Sequence, residues 1–189
     1  MPDRADRPAV PGKTDAPAPV RTQRIVLTGF MGSGKSTVGR LLARQLRWKF
    51  IDADAEIERS AGATIAEVFE SHGESWFRTL EHETISKILS SGQLILALGG
   101  GAIEHTGTRE LLLNDQSTRL IHLEASLQTV LKRCQGTDAI RPVLADRANL
   151  QARYERRLPL YRQAHLTIPV DFISPYTAAS MVLARLGFK

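Results

Sequence analysis

Short apolar runs alternate with stretches of helical periodicity from Ile25 to the C-terminal end of the chain. Such alternation is typical of a parallel sheet whose strands are connected and covered by helices. The predicted strands are Ile25–Thr28, Lys49–Ile51, Leu94–Leu98, Thr118–Leu123 and Leu166–Pro169. The predicted helices are Thr37–Leu46, Ala53–Ser60, Ile65–Glu70, Glu74–Ser90, Thr108–Leu113, Ser126–Arg133, Leu150–Gln163 and Pro175–Leu186. We therefore expect one α/β domain with a five-stranded parallel sheet and helices on both faces.

Two segments lack this periodicity. Residues 1–23 contain five of the nine prolines of the chain and few residues that could pack in a core. Because such a segment buries too little apolar surface to offset its ordering entropy, we expect a disordered tail before a folded domain at residues 24–189. The second segment is Cys134–Ala148, and a loop of that length in a compact domain is typically a functional lid or a disordered stretch.

Composition and charge limit the class of partner and the compartment. The 189 residues include 25 Lys and Arg against 20 Asp and Glu, and the isoelectric point is about 9.7. This excess of positive charge indicates an anionic partner: a nucleic acid, a membrane surface, or a phosphorylated or carboxylated small molecule. One cysteine, Cys134, excludes an intrachain disulfide and a multi-cysteine metal site and fits a reducing compartment. Since no apolar run approaches the length of a membrane span, we expect a cytoplasmic protein that does not bind a membrane.

The segment from Gly29 to Ser36 reads GFMGSGKS and matches the phosphate-binding pattern G-x-x-x-x-G-K-[ST] between a predicted strand and a predicted helix. Its glycines allow backbone N–H groups to converge on phosphate oxygens, and the N-terminal end of the helix adds positive potential. Lys35 supplies a cation for the β- and γ-phosphates, and the Ser36 hydroxyl can hold Mg²⁺. We therefore predict that ATP or GTP binds with Mg²⁺ at Gly32, Ser33, Gly34, Lys35, Ser36 and Thr37.

The rest of the sequence indicates which reaction uses the nucleotide. The chain has no Asn-Lys-x-Asp segment of the kind that reads guanine in GTPases. The strand Leu94–Leu98 ends in Gly99-Gly100-Gly101 and not in the Asp that motor and transport ATPases usually carry. Both departures favour a small-molecule kinase.

Two carboxylates, Asp52 and Asp54, follow the second predicted strand, at the edge of the sheet where α/β proteins bind ligands. Side chains two positions apart suit two tasks: one carboxylate can orient Mg²⁺ and its water, and the other can meet an acceptor hydroxyl. The alternative is that an Asp only caps the helix that begins near Ala53. Beside a phosphate-binding loop, we favour the functional interpretation.

Several linked motifs resemble the shikimate kinase family from Ile25 to the C-terminal end. Besides the phosphate-binding loop, they are Asp52-x-Asp54, Phe77-Arg78-x-x-Glu81, Gly99-Gly100-Gly101, Arg141-Pro142 with Leu144, and Arg157-x-Pro159-Leu160-Tyr161. The resemblance implies a three-layer P-loop fold with strand order 2-3-1-4-5, a substrate-binding helical region at residues 57–90 and a lid at residues 134–148. It also implies transfer of the γ-phosphoryl group of ATP to the 3-hydroxyl of shikimate, with Mg²⁺, in the route to chorismate and aromatic amino acids.

The resemblance also assigns roles to individual residues. It implies that the catalytic residues are Lys35, Asp54 and Arg141. Arg141 is expected to reach the transferring phosphate, and Arg133 is expected to pack on the adenine. It implies that shikimate is bound by Asp54, Arg78, Gly99, Gly100, Gly101 and Arg157, with the two arginines on the carboxylate, and that Mg²⁺ lies at Ser36 and Asp52.

Simpler interpretations compete with several of these roles. Arg78 could pair with Glu81 on the same helix and have no further role. Arg157 could lie on a solvated face with neighbouring arginines. Phe69 and Phe77 lie where the family has apolar residues beside the substrate ring, but they could be ordinary core residues. None of the five histidines has the spacing of a metal ligand pair.

Three other classes of protein are alternatives. A gluconate-type kinase shares the phosphate-binding loop but is expected to lack the combination of Arg78, the triglycine and Arg157. A nucleotide kinase needs a second phosphate-binding site, for which the sequence has no signature. A nucleic-acid-binding ATPase would carry stacking aromatic residues beside a basic face, but aromatic residues make up only 6% of this chain. We expect a monomer that binds shikimate and no nucleic acid.

Overall fold

The computed structural model describes residues 22–135 and 147–188, and a five-stranded sheet lies at its centre. The strands are β1 (Arg24–Thr28), β2 (Lys49–Asp52), β3 (Leu94–Ala97), β4 (Thr118–Glu124) and β5 (Leu166–Pro169). They run parallel in the order β2-β3-β1-β4-β5. The predicted strands and the predicted order 2-3-1-4-5 are confirmed, with strand ends that differ by no more than one residue.

Helices cover both faces of this sheet, as predicted for an α/β protein. Within the described residues they are α1 (Lys35–Leu46), α2 (Ala53–Ala61), α3 (Ile65–Leu89), a short 3₁₀ helix (Ala102–Glu104), α4 (Thr106–Asn114), α5 (Leu127–Arg133), α6 (Arg147–Tyr161) and α7 (Pro175–Arg185). α1 buries Val38 and Leu42, four positions apart, and packs against β3 and α7. Gly39 of α1 is required by close packing, because a Cβ there would meet the Phe50 ring at 2.5 Å.

The helices predicted at 65–70 and 74–90 are the two arms of one kinked element, α3. Its break lies at Gly73, whose φ of 79° favours glycine over any residue with a side chain. Its start is set by a capping box: Glu67 N donates to Thr64 Oγ1 at 3.3 Å, and Thr64 N donates to the Glu67 carboxylate at 2.7 Å. The kink therefore divides the region predicted to bind substrate into two helical arms.

The strands lie at the centre of the hydrophobic core, between the two layers of helices. Ile25, Val26 and Leu27 of β1 are fully buried, as expected for a parallel strand with both faces covered. A second, smaller cluster of Ile57, Val68 and Phe77 joins α2 to α3. Because β1, β2 and β3 are neighbours and parallel, the loops after them meet at one edge of the sheet. The phosphate-binding loop, the Asp pair and the triglycine all follow these three strands.

The predicted tail and lid lie mainly outside the described residues. This holds for residues 1–21 of the tail and for residues 136–146 of the lid, which include Arg141. Gln23, by contrast, donates from its backbone N to Ser117 O at 2.9 Å beside the start of β1. Within the part of the chain that the structure describes, no helix combines the length and apolar character needed to cross a membrane.

Candidate active site

The loop between β1 and α1 concentrates positive potential. Gly34 holds the N-cap of α1 with a φ of 96°, and no side chain caps this end of the helix. The first turn carries no acidic residue, so its N–H groups are available to an anion. Lys35 Nζ donates to Gly29 O at 2.9 Å and to Phe30 O at 3.1 Å, which places the ammonium group over the loop. This arrangement fits a polyphosphate.

Two buried hydroxyl groups, one in this loop and one directly before it, also fit a site that is completed by a ligand or by water. Thr28 Oγ1 and Ser33 Oγ have no hydrogen-bond partner among the described residues. Leaving a buried hydroxyl unsatisfied is costly, so such groups in folded proteins are normally completed. Thr37, in the first turn of α1, is exposed.

Ser36 and Asp52 meet across the gap between α1 and β2. Ser36 Oγ donates to Asp52 Oδ2 at 2.7 Å. Asp52 occupies the N-cap position of α2, but its side chain makes no capping hydrogen bond. The Asp52 side chain therefore does not cap α2, and the alternative interpretation from the sequence is excluded. A hydroxyl and a carboxylate oxygen beside a phosphate-binding loop form the type of donor set that Mg²⁺ prefers.

Asp54 lies in the first turn of α2 and packs against the backbone of Gly99. A Cβ at Gly99 would overlap the Asp54 Oδ1 atom and would lie 3.2 Å from Glu81 Oε1. The absence of a side chain at Gly99 thus lets two carboxylates approach the same peptide. Burial raises the pKa of Asp54, and the Asp52 carboxylate raises it further, whereas the Lys35 ammonium opposes the shift.

Arg78 lies in the second arm of α3 and packs against the backbone of Gly101. A Cβ at Gly101 would lie 2.7 Å from Arg78 Nη1, so a larger residue there would displace the guanidinium group. Arg78 Nη1 donates to Glu81 Oε2 at 2.6 Å, and Nη2 donates to Glu74 Oε1 at 3.2 Å. The ion pair between Arg78 and Glu81, which was the simpler interpretation of Arg78, is therefore present. The same guanidinium group also lies against the triglycine, so the ion pair does not exclude a functional role.

Glu81 lies beside Arg78 and Gly99 at this candidate site, and the sequence did not indicate a role for it although it belongs to the Phe77-Arg78-x-x-Glu81 motif. It is 1% exposed, and burial raises its pKa to about 7 against the opposing charge of Arg78. The signal in the sequence that could have identified Glu81 is a carboxylate at a position on the buried face of a predicted amphipathic helix. Between pH 4.5 and about 7, folding therefore places a proton on this group.

The shift of Glu81 predicts how stability depends on pH. Between pH 4.5 and about 7 the folded protein retains the Glu81 proton that the unfolded chain has released, so raising the pH favours unfolding. The free energy of unfolding of the wild type should therefore fall across this range relative to that of Glu81→Gln. Urea denaturation of both proteins at several pH values measures the difference, with the exposed Glu83→Gln as control. Parallel curves for the wild type and Glu81→Gln would contradict the buried, proton-retaining state.

Arg157 is buried although two neighbours in α6, Arg153 and Arg156, are more exposed. It is 7% exposed, whereas the Arg156 side chain is 64% exposed, so the solvated-face interpretation applies to Arg156 and not to Arg157. Arg157 Nη1 lies 3.6 Å from the position that a Cβ on Gly100 would take. The Tyr161 hydroxyl donates to Gly100 O at 2.5 Å and fixes this peptide.

Arg133, at the end of α5, connects the phosphate-binding loop with the end of β5. Its Nη1 donates to Gly32 O at 3.3 Å, and its Nη2 donates to Val170 O at 2.5 Å. This places a guanidinium group beside the loop, where the nucleotide is expected. The structure does not describe Arg141, the other arginine expected near ATP.

Phe69 and Phe77, which the sequence placed beside the substrate ring or in the core, pack against each other. The rings of Phe69 and Phe77 lie 4.5 Å apart between centroids in the cluster that joins α2 and α3. Their packing is that of core residues. In residues 22–135 and 147–188, no three His, Cys, Asp or Glu side chains form a group that could hold a metal ion.

Known proteins are similar to this chain in both sequence and fold. A family model described as shikimate kinase matches residues 31–186. The shikimate kinase of Persephonella marina is 40% identical over 166 residues, which cover 87% of this chain and 99% of that relative. The structure of shikimate kinase from Acinetobacter baumannii in complex with shikimate has a TM-score of 0.80 and 38% identity and covers 88% of this chain and 94% of that chain.

A gluconokinase from Sinorhizobium meliloti has a TM-score of 0.55 and 22% identity over 88% of this chain and 94% of that chain, which shows the fold alone. The family model and the curated relative instead match the sequence itself over most of its length. The resemblance inferred from the linked motifs is therefore confirmed, and the chain belongs to the shikimate kinase family.

Proposed function

We propose that this protein transfers the γ-phosphoryl group of ATP to the 3-hydroxyl of shikimate, which gives shikimate 3-phosphate and ADP in the route to chorismate and aromatic amino acids. ATP is the nucleotide of the family to which the chain belongs. The proposal extends this membership to the acceptor and to the roles of individual residues.

One observation carries the proposal: Asp54, Arg78 and Arg157 converge on the triglycine at Gly99–Gly101, next to the strand that leads into the phosphate-binding loop. The acceptor needs cations for its carboxylate and hydrogen-bond acceptors for its hydroxyl groups. Two guanidinium groups suit a planar carboxylate, and the Asp54 carboxylate suits a hydroxyl. The site therefore matches a hydroxylated carboxylic acid.

The proposed mechanism divides the work between the two sides of the site. Lys35 and Arg141 stabilise charge on the transferring phosphoryl oxygens, because phosphoryl transfer depends mainly on positioning and charge stabilisation. Asp54 accepts a hydrogen bond from the 3-hydroxyl and takes its proton as the new bond forms. The raised pKa of Asp54 favours that proton uptake. Arg133 contacts the nucleotide beside the loop.

Ser36 and Asp52 would hold Mg²⁺. Their oxygens lie 2.7 Å apart beside the phosphate-binding loop, and both are hard donors of the type that this ion requires. When bound, Mg²⁺ neutralises charge on the β- and γ-phosphate oxygens. A requirement for Mg²⁺ that is weakened in Asp52→Asn would support this assignment.

Measurement of ADP release tests the acceptor directly. Purified protein is assayed with ATP and Mg²⁺ and with shikimate, gluconate or a nucleoside monophosphate in turn. Shikimate should stimulate ADP release in a magnesium-dependent manner, and the other acceptors should not. If gluconate or a nucleoside monophosphate stimulates release and shikimate does not, the proposal is wrong.

The two arginines should affect the acceptor and not the nucleotide. Arg78→Ala and Arg157→Ala should each weaken shikimate binding by about tenfold or more, because each loses a charge-assisted contact with the carboxylate. ATP affinity should stay within about twofold, since among the described residues neither arginine has a hydrogen bond or an ion pair with the phosphate-binding loop. Isothermal titration with each ligand measures both values, and Arg44→Ala, which removes an exposed arginine of α1, is the control. An equal loss of both affinities would contradict the division of the site.

We further propose that the protein acts as a monomer in the cytoplasm, without nucleic acid or membrane as partners. The positive charges described above face one triphosphate and one carboxylate, so they require no polyanion. Sedimentation of the purified protein with and without ligands tests the monomeric state.

A further inference from the structure

Glu104, at the end of the 3₁₀ helix that follows the triglycine, binds two arginines of α6. Its Oε2 accepts from Arg157 Nε at 2.8 Å and from Arg157 Nη2 at 2.6 Å. Its Oε1 accepts from Arg156 Nε at 3.0 Å and from Arg156 Nη2 at 2.9 Å. One carboxylate thus accepts four hydrogen bonds. This role is not evident from the sequence, because the partners are 52 and 53 positions away.

The two arginines that bind Glu104 differ in solvent exposure, and therefore in how much their ion pairs contribute. The Arg156 side chain is 64% exposed, so its ion pair contributes little. The Arg157 side chain is 9% exposed, and Glu104 engages only its Nε and Nη2 edge. The other terminal nitrogen, Nη1, lies on the side of Gly100. Glu104 therefore binds Nε and Nη2 of the guanidinium group of Arg157, whereas Nη1 of the same group lies beside the triglycine.

Glu104 is itself held in place. Arg109 Nη1 donates to Ile103 O at 2.8 Å and to Glu104 O at 3.0 Å, which fixes the backbone of the 3₁₀ helix. Although partial burial acts to raise the pKa of Glu104, its hydrogen bonds with Arg157 and Arg156 lower it overall. Its carboxylate therefore stays charged at neutral pH and provides a rigid support for Arg157.

We propose that Glu104 is a positioning residue that holds Arg157 so that Nη1 stays directed at the carboxylate of the acceptor. This proposal rests on the proposed function, because it takes a carboxylate at the triglycine as the ligand of Arg157. A long arginine side chain loses considerable rotational freedom when it binds a ligand. A partner that fixes it beforehand improves affinity without touching the ligand.

Steady-state kinetics of Glu104→Ala and Glu104→Gln, alone and combined with Arg157→Lys, tests the proposal. Glu104→Ala should raise the KM for shikimate about tenfold and leave the KM for ATP within about twofold. Glu104→Gln keeps the size of the side chain and should show a smaller rise in the same direction. In the Arg157→Lys background, Glu104→Ala should add less than about twofold, because the group that it positions is already gone. Arg156→Ala removes the other arginine partner and should leave both KM values within about twofold.

Several outcomes would overturn the proposal. An unchanged KM for shikimate in Glu104→Ala would do so, and so would a lower KM, which would mean that the negative charge of Glu104 repels the substrate. An equal rise with and without Arg157 would show a general structural effect. If Glu104→Ala does not fold, Glu104→Gln carries the same comparison. Failure of the proposed function is distinguishable, because the wild type itself would then show no turnover of shikimate.

Discussion

Lys35→Met should lower the turnover number by a factor of about 100 or more, because it removes a cation from the transferring phosphate. The ammonium group lies over the loop, at 2.9 Å from Gly29 O and 3.1 Å from Phe30 O, where the phosphate groups are expected to bind. Methionine keeps most of the length of the side chain and removes both its charge and its N–H donors. The ADP-release assay at saturating shikimate measures the loss.

Lys87→Met is the matched control for this experiment. Lys87 is exposed in the last turn of α3 and contributes no group to the site described above. Its turnover should stay within about twofold of the wild type. Thermal unfolding of Lys35→Met separates lost catalysis from lost folding, since Lys35 also hydrogen bonds to its own loop. A folded Lys35→Met protein with turnover within about fivefold of the wild type would contradict the proposed role.

Asp54→Asn should lower the turnover number by about 100-fold or more, because an amide holds the acceptor hydroxyl but cannot take its proton. Asn keeps the shape that packs against Gly99, so the fold should be retained. ATP affinity should change little, since Asp54 lies on the acceptor side. Turnover and ATP binding are measured on the same preparation.

The pH profile gives a second readout for Asp54. Burial and Asp52 raise the pKa of Asp54, so the wild type should lose kcat/KM on acidification at a higher pH than an ordinary aspartate would cause. Asp54→Asn should lack this acid limb. Glu56→Gln, in the same helix, removes a surface pair with Arg59 and should keep the wild-type profile. An acid limb that persists in Asp54→Asn would assign the titration to another group.

The sequence left two interpretations open at Asp52, and the structure excludes the capping interpretation. An Asp before a helix is a common capping residue, and sequence spacing cannot exclude that role. The structure shows that its carboxylate accepts from Ser36, a residue of another helix 16 positions away. Neighbours of this kind are set by strand order, because β1 and β2 are separated in the sheet by β3 alone.

Arg157 illustrates the same limit for charged helices. Three arginines at 153, 156 and 157 read as a solvated face, and only the resemblance to a family favoured a role for Arg157. The packing of α6 against the 3₁₀ helix buries Arg157 and leaves Arg156 exposed. Glu104 and Glu81 were not assigned functions from the sequence. The pairing of Glu104 with two arginines of α6 and the burial of Glu81 became visible only when the helices were packed.

The sequence by itself determined the class of fold, the strand order through family resemblance, and the chemistry of the phosphate-binding loop. These features depend on local patterns: apolar runs, helical periodicity and a glycine-rich loop between a strand and a helix. The tertiary structure alone decided which side chains meet around the triglycine, that Glu81 keeps a proton up to a pH of about 7, and that Glu104 holds Arg157. Burial and long-range contact set these properties, and neither is encoded in the spacing of residues along the chain.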